Sequence, residues 1–210
     1  MITLAKKRMK IAVRRPALAK ATPAEEFPEA MRNKLTLLFL VVLFTSLAVL
    51  IYFSVIPASA VYLTLVTIAA IWCLAELKLN RNDFDRVKRA FLVGLFLMVF
   101  DFAVENSGWL LGLWATHGAI LAIGVVPIEV MLICLIGGTA WALYLPKSYD
   151  RMHSVIDVLV FATYGMLGEY MLRLSGLMTY YQWWNAGWAF LAYGITWVIL
   201  HYVKYRVVKV

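Results

Sequence analysis

Runs of about 20 apolar residues recur along this chain of 210 residues, and a run of that length is what an α-helix needs to cross the hydrocarbon core of a bilayer. Lipid offers nothing to a backbone N–H or C=O, so a spanning segment must satisfy those groups itself. The runs are continuous rather than alternating, which favours helices over a barrel. Six fit, at residues 35–56, 58–77, 90–112, 119–145, 154–174 and 184–203. The expected fold is therefore an all-α integral membrane protein: a six-helix transmembrane bundle over residues 35–203, behind a basic segment 1–34 and before a short basic tail 204–210. With 63% hydrophobic and 15% charged residues, the chain is too apolar for an ordinary soluble domain. Little more than Pro57 separates the first two runs, and the fourth is long enough to tilt or to begin as a re-entrant stretch.

Charge placement gives an orientation. Of the 20 lysines and arginines, all but Arg173 fall before the first run, between the second and third, between the fourth and fifth, or after the last. By the positive-inside rule that end is cytoplasmic, with both termini inside, as in a multi-pass cell-membrane protein. Trp183, Trp184, Tyr180 and Tyr181 then form an aromatic belt at the outer interface. The first 34 residues have a basic start but no apolar core before a cleavage site, so they do not read as a signal peptide. Residues 2–15 suit a basic interfacial helix on the anionic inner leaflet. Juxtamembrane cations explain the net charge of +8 without nucleic acid.

Four carboxylates lie inside the apolar runs and away from their inner ends: Asp101, Glu105, Glu129 and Glu169. A charge near the bilayer centre costs several kcal/mol and normally faces the bundle interior. Asp101 and Glu105 share one helix face. Counting from the outer ends of their runs, Glu105 and Glu169 lie roughly 10 Å deep, and Asp101 and Glu129 roughly 15 Å. Four acids in one slab on three consecutive helices can line one cavity. A protonated acid in an apolar pocket is a general acid.

Each feature has a plainer reading. Glu169 precedes Arg173 by one turn, the favourable order for an ion pair. Glu105 and Asn106 can hydrogen-bond neighbouring helices. Asp157 and Glu76, near the inner ends, read as solvated or paired with Arg151 and Lys78. Pro127 is placed to kink the fourth run beside Glu129, and Gly108 and Gly112 have the spacing of a close helix contact. Cys73 and Cys134 lack metal-ligand spacing and read as apolar packing residues. His117, His153 and His201 are scattered, which disfavours a metal centre, although His117 is placed to shuttle protons near the outer end. No phosphate loop or nucleophile elbow occurs, and no cofactor is expected.

The segment Asp101-x3-Glu105-x2-Gly108-x3-Gly112-x-Trp114, followed by Pro127-Ile128-Glu129, resembles the membrane-embedded carotenoid enzymes of the lycopene cyclase domain type, and the related carotenoid hydratases. The likeness covers about residues 95–145. Val130 stands where those cyclases usually have a second acid, and Thr116 where a tyrosine is common. The resemblance implies proton-initiated, non-redox cyclisation or hydration of a carotenoid or other isoprenoid. Asp101 or Glu129 would be the proton donor, Glu105 a counter-charge or base, and Glu169 a positioning group. Trp109, Trp114 and Tyr170 are the candidate walls against substrate, since aromatic faces stabilise a cation.

Two rival classes fit the same acids. A proton-coupled or cation transporter also places carboxylates at mid-membrane, and an assembly partner would pair them with another membrane protein or a second copy of itself. Glu105 and Glu169, each followed by a glycine and an aromatic outer turn, faintly echo a parallel duplication. Membrane lipids and a hydrophobic substrate are the expected partners, and nucleic acid is not.

Overall fold

A computed structural model describes the backbone from Pro23 and the side chains from Met31, through to Val210. The interfacial helix expected over residues 2–15 lies outside the described residues. The chain forms α1 (Pro23–Tyr52), α2 (Ala58–Leu79), α3 (Phe84–Leu110), α4 (Ile128–Tyr144), α5 (Arg151–Leu174) and α6 (Ala186–Tyr202). A π-helical segment, Val203–Val208, continues α6. Four short strands interrupt the helices at one end: β1 (Trp114–Thr116), β2 (Ala122–Ile123), β3 (Val126–Pro127) and β4 (Met178–Tyr180). The π segment breaks the regular helix, and such departures often mark functional positions.

Four helices are long and apolar enough to cross a membrane: Met31–Tyr52 of α1, α2, α5, and α6 with its π extension. The other two depart from the expected spans for different reasons. α3 is 27 residues long but carries Asp85, Arg86, Lys88, Arg89, Asp101 and Glu105. α4 has only 17 residues, roughly 26 Å at helical rise. The fourth run does not enter as a helix at 119. Its first residues make the antiparallel β2–β3 hairpin, Ala122 against Pro127 and Ile123 against Val126. Pro127 kinks nothing; it is the N-cap of α4, a place where its missing N–H costs no helical bond. Glu129 accordingly sits in the first turn of α4, not ten residues along a helix.

The packing is that of a protein without water at its sides. Leu35, Leu38, Phe39 and Val42 of α1, Leu63, Ile71 and Leu74 of α2, and Leu191, Ile195 and Val198 of α6 are all exposed. So large an apolar surface is not left bare in aqueous solution. The interior is centred on the second half of α4, where every residue from Gly138 to Leu145 is buried. α3 packs most extensively on α4, α5 on α6, and α2 on α4. A Cβ on Gly138 would stand 3.0 Å from Gly94 Cα, so paired glycines on α3 and α4 let the two backbones meet.

Basic side chains at the other end of the bundle are structural. Arg86 is buried, donating to Asn80 Oδ1 (3.0 Å) and to the carbonyls of Leu143 (2.9 Å) and Leu145 (2.8 Å). A cation thus closes the negative C-terminal end of α4. Lys204, fully buried, donates to Pro146 O and Val210 O. Neither is a solvated loop charge.

Candidate functional site

Each of α3 and α5 ends in the same way. After α3, Leu111, Gly112 and Leu113 donate to the carbonyls of Ser107, Trp109 and Gly108; after α5, Ser175, Gly176 and Leu177 donate to Met171, Arg173 and Leu172. Every number shifts by one interval, and that interval also separates Glu105 from Glu169. Gly112 (φ +64°) and Gly176 (φ +73°) occupy the left-handed position that stops each helix. The two chains then pair as β1 and β4, antiparallel, with Trp114 opposite Tyr180 and Thr116 opposite Met178. The faint echo in the sequence therefore extends to the backbone bonds that end the two helices and to the strands that follow them.

Each half supplies a carboxylate held by an indole. Trp114 Nε1 donates to Glu105 Oε2 at 2.9 Å, and Trp184 Nε1 donates to Glu169 Oε1 at 2.9 Å. The two indoles lie on each other with centroids 4.4 Å apart. Trp184 is thus part of the centre rather than of an interfacial belt, and Gly108 is small because the Trp114 indole lies where its Cβ would be. Gly112 is a turn residue. The close helix contact read from the spacing of these glycines is made instead by Gly94 and Gly138.

Asp101 and Glu105 lie within electrostatic reach of each other, as do Glu105 and Glu169, and Tyr193 of α6 is close to all three. From the ends of their helices, Glu105 and Glu169 are roughly 8 Å deep and Asp101 roughly 14 Å. Cys134 on α4 lies within electrostatic reach of Asp101. The second oxygen of Asp101, Oδ2, is sealed from solvent with no hydrogen-bond partner. Glu169 makes no ion pair with Arg173, whose guanidinium lies 5.2 Å over the Tyr180 ring. Burial and the charge of Glu169 raise the Tyr180 phenol above its ordinary range.

Glu129 joins from another direction. Its Oε1 accepts the Ile120 N–H at 3.1 Å, tying down the loop before the β2–β3 hairpin, while its Oε2 is buried without a partner. It shares Tyr62 of α2 with Glu105 as an electrostatic neighbour. Above the acids, a cavity of about 290 Å³ is lined by Glu105, Trp109, Trp114, Thr116, His117 and Pro127 among others. His117 Nε2 meets Thr179 Oγ1 at 3.0 Å there. Tyr170 is exposed on α5, outside the lining of this cavity.

Tyr62, Cys134, Tyr193 and Trp184 were not legible as partners of these acids. The matched glycine turns were the one available signal, and they point only to Trp184's half.

A second buried carboxylate lies toward the basic end. Asp157, fully buried, accepts from Trp141 Nε1 (2.9 Å), from His201 Nε2 (2.9 Å) and from the Tyr144 hydroxyl. It is neither solvated nor paired with Arg151. Glu76 is likewise buried, with Arg32 and Arg86 as its nearest cations rather than Lys78. Among the described residues no group of three or more His, Cys, Asp and Glu side chains could hold a metal ion. Compared with protein-family models, with curated proteins and with solved structures, the chain finds no match in any of the three.

Proposed function

We propose that the chain is a six-pass membrane enzyme, both termini cytoplasmic, that uses intramembrane carboxylic acids for proton-initiated, non-redox chemistry on an isoprenoid. The reading rests on one observation: Asp101 keeps a sealed oxygen without a partner, one helical turn from Glu105 and within reach of Cys134. A carboxyl meant only for structure would have both oxygens satisfied, because an idle buried acceptor costs free energy.

Asp101 delivers its proton to a carbon–carbon double bond, leaving a tertiary carbocation and a carboxylate. A second double bond captures the cation and a ring proton is lost, or water captures it and the adduct loses a proton. Either way the proton returns to a carboxylate, and no electron is gained or lost. Glu105 and Glu169, each oriented by an indole, supply the counter-charge and base, and the aromatic faces lining the site stabilise the cation. Exposed apolar helix faces give a hydrophobic substrate a route in from lipid.

The test uses the purified chain in nanodiscs with an acyclic carotenoid, following product by mass. Wild type should yield an isomer or a product heavier by one water. Asp101→Asn, still folded by its melt, should lose at least about 100-fold in turnover, the lower bound for general acid catalysis. Full turnover by that variant removes Asp101 as the acid. Proton flux through sealed vesicles, with no product from any isoprenoid, would favour the transporter.

A further inference from the structure

The end of the bundle carrying Arg86, Lys204 and Arg206 holds a second cavity, of about 410 Å³, between α5 and α6. Val155, Val158, Leu159, Val198 and Tyr202 make its wall, and Val155, Leu159, Val198 and Tyr202 are exposed toward the apolar side of the bundle. At its head are Ser154, His201, Tyr149, Tyr205 and Arg206. The acid centre described above uses none of them.

Two polar atoms here have no partner. Ser154, 5% exposed, leaves its Oγ unbonded, and His201, 6% exposed, leaves its Nδ1 unbonded. The imidazole is not free to turn away. Asp157 holds its Nε2, the ring stands edge-on to Trp141, and Tyr205 stacks on it with centroids 5.9 Å apart. Asp157 is itself held by Trp141 and Tyr144, so three donors surround that one carboxylate. Two buried, oriented and idle hydrogen-bonding groups beside an apolar wall are a combination that an amphiphile satisfies and a purely apolar chain does not.

Charge selects among amphiphiles. Arg206 is the one formally charged residue in the cavity lining, and it is exposed at the edge. No carboxylate is among the lining residues; Asp157, bonded to His201, and Asp150, the N-cap of α5, lie behind them within electrostatic reach of Tyr205. Basic clefts between helices on the cytoplasmic side suit anionic lipid head groups.

We propose that this cleft binds an anionic phospholipid of the adjacent leaflet. Its phosphate lies between Arg206 and Ser154, a head-group hydroxyl donates to His201 Nδ1, and one acyl chain follows Val155, Leu159 and Val198. Ser154 donates its hydroxyl proton to a phosphate oxygen, and Arg206 adds a charge-assisted bond. The site is independent of the proton-donating centre, which lies toward the opposite end of the helices.

Native mass spectrometry of the detergent-solubilised full chain tests this, with phosphatidylglycerol and phosphatidylcholine of identical acyl chains as probes. Phosphatidylglycerol should bind at least tenfold more tightly. Arg206→Gln, at an exposed position, should reduce that preference to near unity, and Ser154→Ala should weaken phosphatidylglycerol several-fold, both with unchanged melts. Equal affinity for the two lipids, or an Arg206→Gln/Ser154→Ala double variant that binds like wild type, overturns the proposal. Displacement of the lipid by millimolar inorganic phosphate also overturns it, since the cleft would then recognise a free anion. If Ser154→Ala fails to fold, Arg206→Gln alone decides the outcome.

Discussion

Removing the Asp157 carboxylate is the most direct test of how this bundle is held together. The side chain is fully buried and accepts from an indole, an imidazole and a phenol carried by α4 and α6, so it links three helices at one point. Asp157→Ala leaves all three donors without a partner. Hydrogen bonds inside membrane proteins are worth on average about 0.6 kcal/mol and at most about 1.7, so three lost together should cost roughly 2–5 kcal/mol. Asp157→Asn keeps the shape but turns an amide NH₂ toward donors, and should fall in the lower half of that range. Unfolding of the detergent-solubilised protein in a titration with dodecyl sulfate, followed by tryptophan fluorescence, measures both, with Trp141 itself a reporter. A change within about 0.5 kcal/mol, the range of ordinary surface substitutions, would refute the reasoning. It would mean that water or lipid replaces the carboxylate and the three helices are not tied there.

Three further outcomes follow from the geometry. Trp184→Phe keeps a ring against Trp114 but removes the donor to Glu169, so stability should fall by about 0.5–1.5 kcal/mol; an unchanged melt would show that the bond contributes nothing. Gly108→Ala places a methyl group where the Trp114 indole lies, which should cost about 1–3 kcal/mol and shift the tryptophan emission as Glu105 loses its donor; an unshifted spectrum would contradict the site. Asp83 caps α3, and the Arg86 N–H (3.1 Å), with Lys147 (3.2 Å) beyond it, holds its carboxyl below the usual range. Because the folded value is the lower one, this stabilisation is complete above about pH 4, the unfolded range of aspartate, and is lost as pH falls through the folded value. Melts of wild type and Asp83→Asn should therefore differ at neutral pH and converge in strong acid, and a constant gap would refute the assignment.

Apolar run length determined much of this protein without any tertiary information. α2 was expected over 58–77 and runs Ala58–Leu79, and α5 and α6 begin within three residues of their expected starts. These elements are legible because hydrocarbon leaves a long apolar segment one way to satisfy its backbone. The same rule failed before α4. Residues 119–127 are as apolar as a helix, and composition alone does not reveal that the chain turns into a hairpin at Gly124.

Four acids within apolar runs were legible too, as a cost that must have a reason, but their partners were not. Trp114 and Trp184 reach Glu105 and Glu169 from across a turn, Cys134 reaches Asp101 from another helix, and Asp157 collects donors from α4 and α6. Periodicity tells which face of a helix is apolar. Which neighbouring helix meets that face, and at what rotation, depends on how side chains such as Gly94, Gly138 and Gly108 let backbones and rings approach, and only the packed bundle decides it.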